Sequence, residues 1–154
     1  EVLNTAKRVI IAEAIDNPSN IGAIVRCATG LGWDGLICDA TSADPLSRRA
    51  LRVSMGAAFN FRFARSNNIA ETLQNLNQRG FAVLALTPNN LATDLSKVML
   101  EPNKPRALVF GSERAGLSAE ALASANYQVR IEMNPAIDSL NVAAAAAIAC
   151  YALR

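Results

Sequence analysis

Three polar side chains near the end of the chain have the chemistry to hold and orient a ligand. Glu113 offers a carboxylate, Ser139 a hydroxyl and Asn141 an amide, and each lies in a polar loop that follows an apolar, strand-like run. The first run, residues 107–110, stops at Gly111, where the backbone can turn tightly or approach a ligand. Because open α/β sheets bind ligands at such strand ends, we expect the three side chains to converge on one crevice.

Ordinary loop chemistry is an equally good interpretation of the same residues. The second run, residues 127–131, leads through a loop into an alanine-rich segment over residues 142–153. Asp138 or Ser139 would then cap that last helix, and the carboxylate of Glu113 would be solvated. Spacing alone leaves both interpretations open.

Several common reaction chemistries are disfavoured by composition. The chain has no histidine, which removes the usual general base and any Ser-His or Cys-His nucleophile pair. Three widely spaced cysteines without a C-x-x-C pair predict no metal site, and free thiols are typical of a reducing cytoplasm. A nucleotide-dependent oxidoreductase is a rival function, but no G-x-G-x-x-G follows the first strand-like run.

Strand-like and helical segments alternate along the chain, which predicts an α/β fold with a parallel sheet. The predicted strands are residues 8–14, 35–39, 60–64, 81–87, 107–110 and 127–131. The predicted helices are residues 21–30, 44–55, 68–78, 118–124 and 142–153, with a single turn near 94–98. Asn68 with Glu71 resembles a capping box for the third helix, and Leu46 is expected to face inward on the second. The length of 154 residues suits one domain, and no apolar run approaches the ~20 residues that a membrane span needs.

Positive charge is concentrated in one stretch of the chain. The net charge is +2, yet residues 45–66 hold five arginines and no acidic residue. Arg48, Arg49 and Arg52 fall within one helical turn, and arginine is suited to forked contacts with phosphate. We expect these three to contact nucleic acid, with a merely solvated face as the alternative.

Arg26 stands apart from the core pattern of the first predicted helix. It lies about 160° from the centre of the apolar face, at ~100° per residue. It therefore points to solvent, to a partner subunit or to a site. The last helix contains a run of alanines whose small side chains allow a close helix contact, and we expect Ala146 to face outward. We therefore expect a homodimer built on the first and last helices.

Three motifs resemble those of the SpoU/TrmH family, which are SPOUT-class RNA ribose 2′-O-methyltransferases. The segments G-S-E-R-A-G-L at 111–117, I-E-M at 131–133 and S-L-N-V at 139–142 resemble motifs two and three, and N-x-x-x-x-x-R at 20–26 resembles motif one. The resemblance implies one Rossmann-like SPOUT methyltransferase domain over residues 1–154, with a C-terminal deep trefoil knot. Many relatives carry an N-terminal RNA-binding domain, which this chain is expected to lack.

The resemblance also implies a site and a reaction. S-adenosylmethionine would be held by Leu86, Thr87, Gly111, Ile131, Met133 and Leu140. The catalytic group would comprise Asn20, Arg26, Glu113, Ser139 and Asn141. The reaction would be methylation of a ribose 2′-hydroxyl in structured RNA, with rRNA slightly favoured over tRNA. The alternative is an RNA-binding protein that retains the fold without catalysis.

Two roles remain open for Arg26. The family's proposed base is the motif-one arginine, but a guanidinium group normally keeps its proton. Binding of an RNA phosphate is the other role.

From the sequence pattern alone, Ile131, Met133 and Leu140 would be core residues rather than ligand contacts.

Overall fold

A computed structural model describes residues 4–154. Residues 1–3 of the domain predicted over residues 1–154 lie outside the described residues. Seven strands form one sheet, and every pairing in it is parallel. The strands are β1 (Arg8–Ala12), β2 (Gly35–Asp39), β3 (Arg62–Ser66), β4 (Ala82–Leu86), β5 (Thr93–Asp94), β6 (Arg106–Phe110) and β7 (Tyr127–Arg130). They lie in the order β3-β2-β1-β6-β4-β7-β5, which confirms the predicted α/β fold with a parallel sheet.

Helices cover both faces of the sheet. They are α1 (Pro18–Gly30), α2 (Arg48–Val53), α3 (Ile69–Gln78), α4 (Ala119–Ser124) and α5 (Val142–Ala152), with 3-10 turns at Ala57–Phe59 and Leu95–Lys97. Alternate strand residues face opposite layers, as in β1, where Ile10 packs in the layer of α1 and α5 while Val9 and Ile11 pack in the layer of α3 and α4. None of the helices in residues 4–154 is long and apolar enough to cross a bilayer.

Helix α1 begins three residues earlier than predicted. The side chain of Asn17 accepts a hydrogen bond from the backbone N–H of Ser19 at 2.9 Å, and Pro18 occupies the first helical position, where its missing N–H costs nothing. As a consequence Asn20 lies in the first turn of the helix and is only 9% exposed. The start of α1 thus turns this amide toward the strand ends.

Helix α2 is shorter than the predicted 44–55. Asp44 caps a turn, accepting from the N–H of Leu46 at 2.9 Å, and the helix itself is capped by Ser47. Leu46, predicted to face inward, is therefore outside the helix and 41% exposed. Gly22 lets α2 cross α1 closely, because a Cβ atom there would lie 2.6 Å from the carbonyl oxygen of Ala50.

Two strands on the edges of the sheet differ from prediction. β3 begins at Arg62 rather than at residue 60, because the preceding residues form a 3-10 turn and the pairing with β2 starts at Gly35. β5 was not predicted, since only two residues pair with β7. The predicted cap of α3 is confirmed: Asn68 accepts from the N–H of Glu71 at 3.2 Å.

Helix α5 packs against α1 and against β6 within the chain. Ala146 is fully buried by this packing, so it does not face outward as predicted. The exposed face of α5 instead presents Ala144, Ile148 and Tyr151, which are spaced as one helical stripe.

Candidate active site at the carboxyl ends of the strands

A cavity of about 370 Å³ lies where β4, β6 and β7 end, a size within the range of small-molecule sites. It is lined by residues 86–88, 110–117 and 139–140, together with Leu122, Ile131, Met133, Val142 and Ala145. The two loops singled out from the sequence therefore do meet at one crevice. Their meeting follows from the sheet order, because β6 and β7 both neighbour β4.

All six residues predicted to hold a cofactor line this cavity. They are Leu86, Thr87, Gly111, Ile131, Met133 and Leu140. Each is only partly buried. Ile131 packs against the core as well as lining the cavity, in part as the core interpretation expects, whereas Met133 and Leu140 line the cavity outside the core clusters. The wall they form is mostly apolar and ends in strand backbone, which suits a nucleoside.

Gly111 allows the loop after β6 to fold back on itself. A Cβ atom at this position would lie 2.4 Å from the carbonyl carbon of Gly116 and 2.5 Å from the backbone nitrogen of Leu117. The fold-back is held by the N–H of Gly116, which donates to the carbonyl of Ser112 at 2.9 Å. Any side chain at residue 111 would push this loop away from the strand end and open the cavity wall.

Three side chains from distant parts of the chain meet beside the cavity. The Oε1 atom of Glu113 accepts hydrogen bonds from Asn141 Nδ2 at 2.7 Å, from Asn20 Nδ2 at 3.3 Å and from the N–H of Val142 at 3.3 Å. Asn141 Nδ2 also donates to Asn20 Oδ1 at 3.1 Å. We call Asn20, Glu113 and Asn141 the polar trio. Glu113 is exposed, as the solvated interpretation expects, but its carboxylate also holds these three donors.

Asn141, not Asp138 or Ser139, caps the last helix. Its Oδ1 atom accepts from the N–H groups of Ala143 at 2.9 Å and Ala144 at 3.3 Å. The predicted caps are wrong because the loop continues to residue 141 before helical geometry begins. Capping fixes the Asn141 amide so that its Nδ2 faces Glu113. Ser139 lines the cavity, and its side chain makes no hydrogen bond to the described residues.

Glu13 is a site residue that sequence reasoning missed. It follows β1, and its carboxylate accepts from Ser118 twice, from the N–H at 2.8 Å and from Oγ at 2.7 Å. Its own N–H donates to the carbonyl of Phe110 at 2.9 Å. Glu13 thus fastens the far end of loop 111–117 to the sheet. A lone acid at the end of the first strand was the available signal.

Asp39 holds the loop that leads into α1. Its carboxylate accepts from the N–H groups of Ala14 and Ser42 and from the hydroxyls of Ser42 and Thr41. Partial burial favours the neutral acid, but hydrogen bonds from Ser42, Thr41 and Ala14 outweigh it and hold the pKa of Asp39 below its usual value. Ala14 is in the left-handed region at φ 54°, and this bond fixes it there.

Arg26 does not reach the polar trio within its own chain. It is exposed, lies outside the cavity lining, and makes no hydrogen bond to the described residues. Six residues separate it from Asn20, about 9 Å along the axis of α1. The prediction that it points away from the core is confirmed, since its side chain is exposed and lies outside the cavity lining.

The three predicted RNA-binding arginines lie exposed on α2. Arg49 Nε donates to the hydroxyl of Ser19 in the first turn of α1, so one of the three is fixed near the site. Arg48 and Arg52 make no hydrogen bond or ion pair with the described residues. The described residues contain no cluster of Cys, Asp or Glu side chains that could hold a metal ion.

Comparison with known proteins agrees with the geometry. Residues 7–151 match the SpoU rRNA Methylase family. An uncharacterized tRNA/rRNA methyltransferase of Mycobacterium tuberculosis is 41% identical over 152 residues, which cover 98% of this chain and 53% of the relative. The chain therefore spans about half the length of these curated relatives.

Two solved structures share the fold. An rRNA methyltransferase of Sinorhizobium meliloti with bound AdoMet is 29% identical with a TM-score of 0.86, and the match covers 96% of this chain and 56% of that one. An RNA 2′-O ribose methyltransferase is 32% identical with a TM-score of 0.82, and the match covers 94% of this chain and 54% of that one.

Proposed function

The chain belongs to the SpoU rRNA Methylase family, and we propose that it transfers a methyl group from S-adenosylmethionine to a ribose 2′-hydroxyl of structured RNA. The observation that carries this proposal is the contact of Asn20, Glu113 and Asn141 beside a cavity of nucleoside size. Ribosomal RNA is the substrate class that we favour over tRNA, and the rRNA methyltransferase of S. meliloti supports it.

The cavity fits S-adenosylmethionine in size and in chemistry. Apolar side chains of Leu86, Ile131 and Leu140 offer faces for an adenine ring, and the strand-end backbone offers donors and acceptors. The close approach at Gly111 leaves the loop backbone, rather than a side chain, against the ligand. When bound, the cofactor supplies an electrophilic methyl group whose departure leaves a neutral thioether.

The chain's own residues then align the ribose and remove one proton. Alignment is the larger task, because the thioether leaves without protonation while the 2′-hydroxyl must lose its hydrogen as its oxygen bonds to carbon. The polar trio orients the nucleotide, and Ser139 offers the cavity a hydroxyl that makes no hydrogen bond to the described residues. We assign Arg26 to the RNA phosphate first, since a guanidinium group normally keeps its proton.

Three finer features belong to this proposal. The C-terminal residues thread as a trefoil knot, for which the support is family membership and the insertion of β6 between β1 and β4. The active unit is a homodimer, for which the support is the distance between Arg26 and the polar trio. Arg48, Arg49 and Arg52 bind RNA, and the protein works in the reducing cytoplasm, where Cys27, Cys38 and Cys150 remain free thiols.

Methyl transfer to bulk RNA tests the proposal directly. Protein is incubated with labelled S-adenosylmethionine and separately with bacterial rRNA and tRNA, and the RNA is digested to nucleosides. Label in 2′-O-methylated nucleosides is the expected result. Calorimetric titration with S-adenosylmethionine and with NAD separates this function from an oxidoreductase. A protein that binds RNA and neither cofactor would be the non-catalytic alternative.

A further inference from the structure

A second cavity lies at the same edge of the sheet as the candidate active site. It measures about 400 Å³ and is lined by Arg65, Ser66, Asn67, Asn68, Glu71, Thr72 and Asn75. All of these side chains are polar, so the cavity suits a hydrated, charged ligand rather than an apolar one. It opens where β3 ends and α3 begins, and we call it the β3 groove.

The Arg65 side chain is held in place by the backbone. Its Nη1 atom donates to the carbonyls of Asp39 and Ser42, both at 2.7 Å. Its Nε and Nη2 groups make no hydrogen bond to the described residues, and Arg65 remains exposed. A guanidinium anchored at one nitrogen presents its other donors with little loss of side-chain entropy, which favours a phosphate contact.

Further unused donors lie on both sides of this arginine. The amides of Asn67 and Asn75 are exposed and make no side-chain hydrogen bond to the described residues. Ser66, Asn68 and Thr72 bond among themselves and so shape the groove floor. Glu71 is the one acidic residue in the lining, and its charge opposes an anionic ligand.

The groove lies along a continuous edge from the candidate active site. The carboxyl ends of all parallel strands face the same way, and β3 is three strands from β6. At about 4.8 Å between neighbouring strands, the separation is roughly 14 Å. Nucleic-acid-binding grooves cover ~4–16 nucleotides of a strand, so one RNA strand can occupy both places.

We propose that the β3 groove binds a phosphodiester of the substrate RNA, a few nucleotides from the methylated ribose, with Arg65 as the phosphate contact. The inference rests on the proposed function for its ligand. Arg65 is exposed like the α2 arginines, but two backbone carbonyls hold it in place beside an open, shallow groove.

Charge changes on one helix test the groove without disturbing its fold. Asn75→Asp places a negative charge in the groove, Glu71→Gln removes one, and Gln74→Glu is the matched control on the same helix outside the lining. Binding of fluorescent bulk rRNA is measured at several salt concentrations. Asn75→Asp should weaken binding on the order of fivefold at low salt, less at high salt, and Glu71→Gln should strengthen it.

Equal affinities for Asn75→Asp and Gln74→Glu would overturn the proposal, as would wild-type protein that binds no RNA. Arg65→Gln is the second variant, with thermal unfolding as its folding control. If that variant does not fold, the Asn75 and Glu71 pair still decides. S-adenosylmethionine titration of each variant separates the proposed function from the proposed RNA contact. If cofactor binding and methyl transfer are normal but the charge changes in the groove have no effect on RNA binding, only the groove proposal is contradicted.

Discussion

Arg26 is the residue whose position most constrains the chemistry. It is exposed on α1 and lies away from the cavity, so its removal should leave the cofactor's surroundings intact. We predict that Arg26→Ala lowers methyl transfer by at least ~100-fold, the scale of a lost transition-state contact. Affinity for S-adenosylmethionine, measured by calorimetry, should stay nearly unchanged.

Arg26→Lys separates the two roles of this arginine. Lysine keeps the positive charge of a phosphate contact but loses the forked geometry, so Arg26→Lys should keep part of the RNA affinity and part of the rate. A large loss of cofactor affinity in Arg26→Ala would contradict the assignment of Arg26 to the RNA side of the site.

Glu13 positions the cavity wall from behind. Because its carboxylate holds both the N–H and the hydroxyl of Ser118, Glu13→Gln loses an acceptor and should loosen loop 111–117. We predict several-fold weaker S-adenosylmethionine binding, on the order of 1 kcal/mol, with overall folding retained. Glu120→Gln, exposed on α4, is the control.

A double-variant cycle tests whether Glu13 acts through Ser118. Glu13→Gln and Ser118→Ala remove the same interaction. The double variant should therefore bind S-adenosylmethionine as tightly as whichever single variant has the lower affinity. Strictly additive losses would show that Glu13 acts by another route.

Asp39 makes stability depend on pH in a defined direction. Its pKa is lowered in the folded state, so the stability it contributes is present above the usual aspartate pKa of about 3.9 and is lost as pH falls through the lower folded value. We predict that the free energy of unfolding decreases as the pH is lowered below about 4. Asp39→Asn should reduce this decrease when unfolding is measured by urea titration at several pH values. An unchanged pH dependence would show that Asp39 does not cause it.

Residue positions could be predicted from the sequence where they depend on strand ends. Glu113 and Asn141 follow apolar runs, and parallel strands bring such ends together. The role of Glu13 could not be predicted, because contact with Ser118 depends on which strands are neighbours. Asp39 bonds mainly to its sequence neighbours Thr41 and Ser42, and only its bond to Ala14 depends on the pairing of β1 with β2. No local pattern shows that β6 would be inserted beside β1 and so bring Ser118 to Glu13.

Helix boundaries could likewise be predicted where local hydrogen bonds set them, and not where contacts with other elements do. The cap of α3 at Asn68 was readable because it uses local hydrogen bonds. The start of α2 was misplaced, since Asp44 and Pro45 fit a helix start and a turn equally well. The choice depends on α1, where Gly22 admits the backbone at Ala50 and so sets the position of α2.

Helix α2 presents three arginines as one element. We predict that neutralising Arg48, Arg49 and Arg52 to glutamine flattens the salt dependence of RNA binding, since each lost phosphate contact removes roughly 0.7–0.9 from the log–log slope. The three differ in geometry, because Arg49 also bonds Ser19. Filter binding between low and moderate salt measures the slope. An unchanged slope would mean that these three arginines only face solvent and do not contact RNA.

At the scale of the whole molecule, the exposed faces of α1 and α5 lie side by side. Their inner faces pack together, which explains why Ala146 is buried and unsuited to test an interface. Ile148 and Tyr151 are 44% and 60% exposed on the outer face of α5. We propose that a second copy packs there, covers this apolar stripe and brings Arg26 of one subunit to the other subunit's cavity.

Mixing two inactive variants tests whether the site is shared. If Arg26 serves the partner's cavity, a dimer of one Arg26→Ala chain and one Glu113→Ala chain has one intact site and one doubly defective site. Co-expression at equal levels should then restore about a quarter of wild-type activity, since half the dimers are mixed. Ile148→Glu should abolish both the dimer, by sedimentation, and this rescue, while Gln74→Glu should affect neither. No rescue, or a fully active wild-type monomer, would place Arg26 in its own chain's site and end the shared-site account.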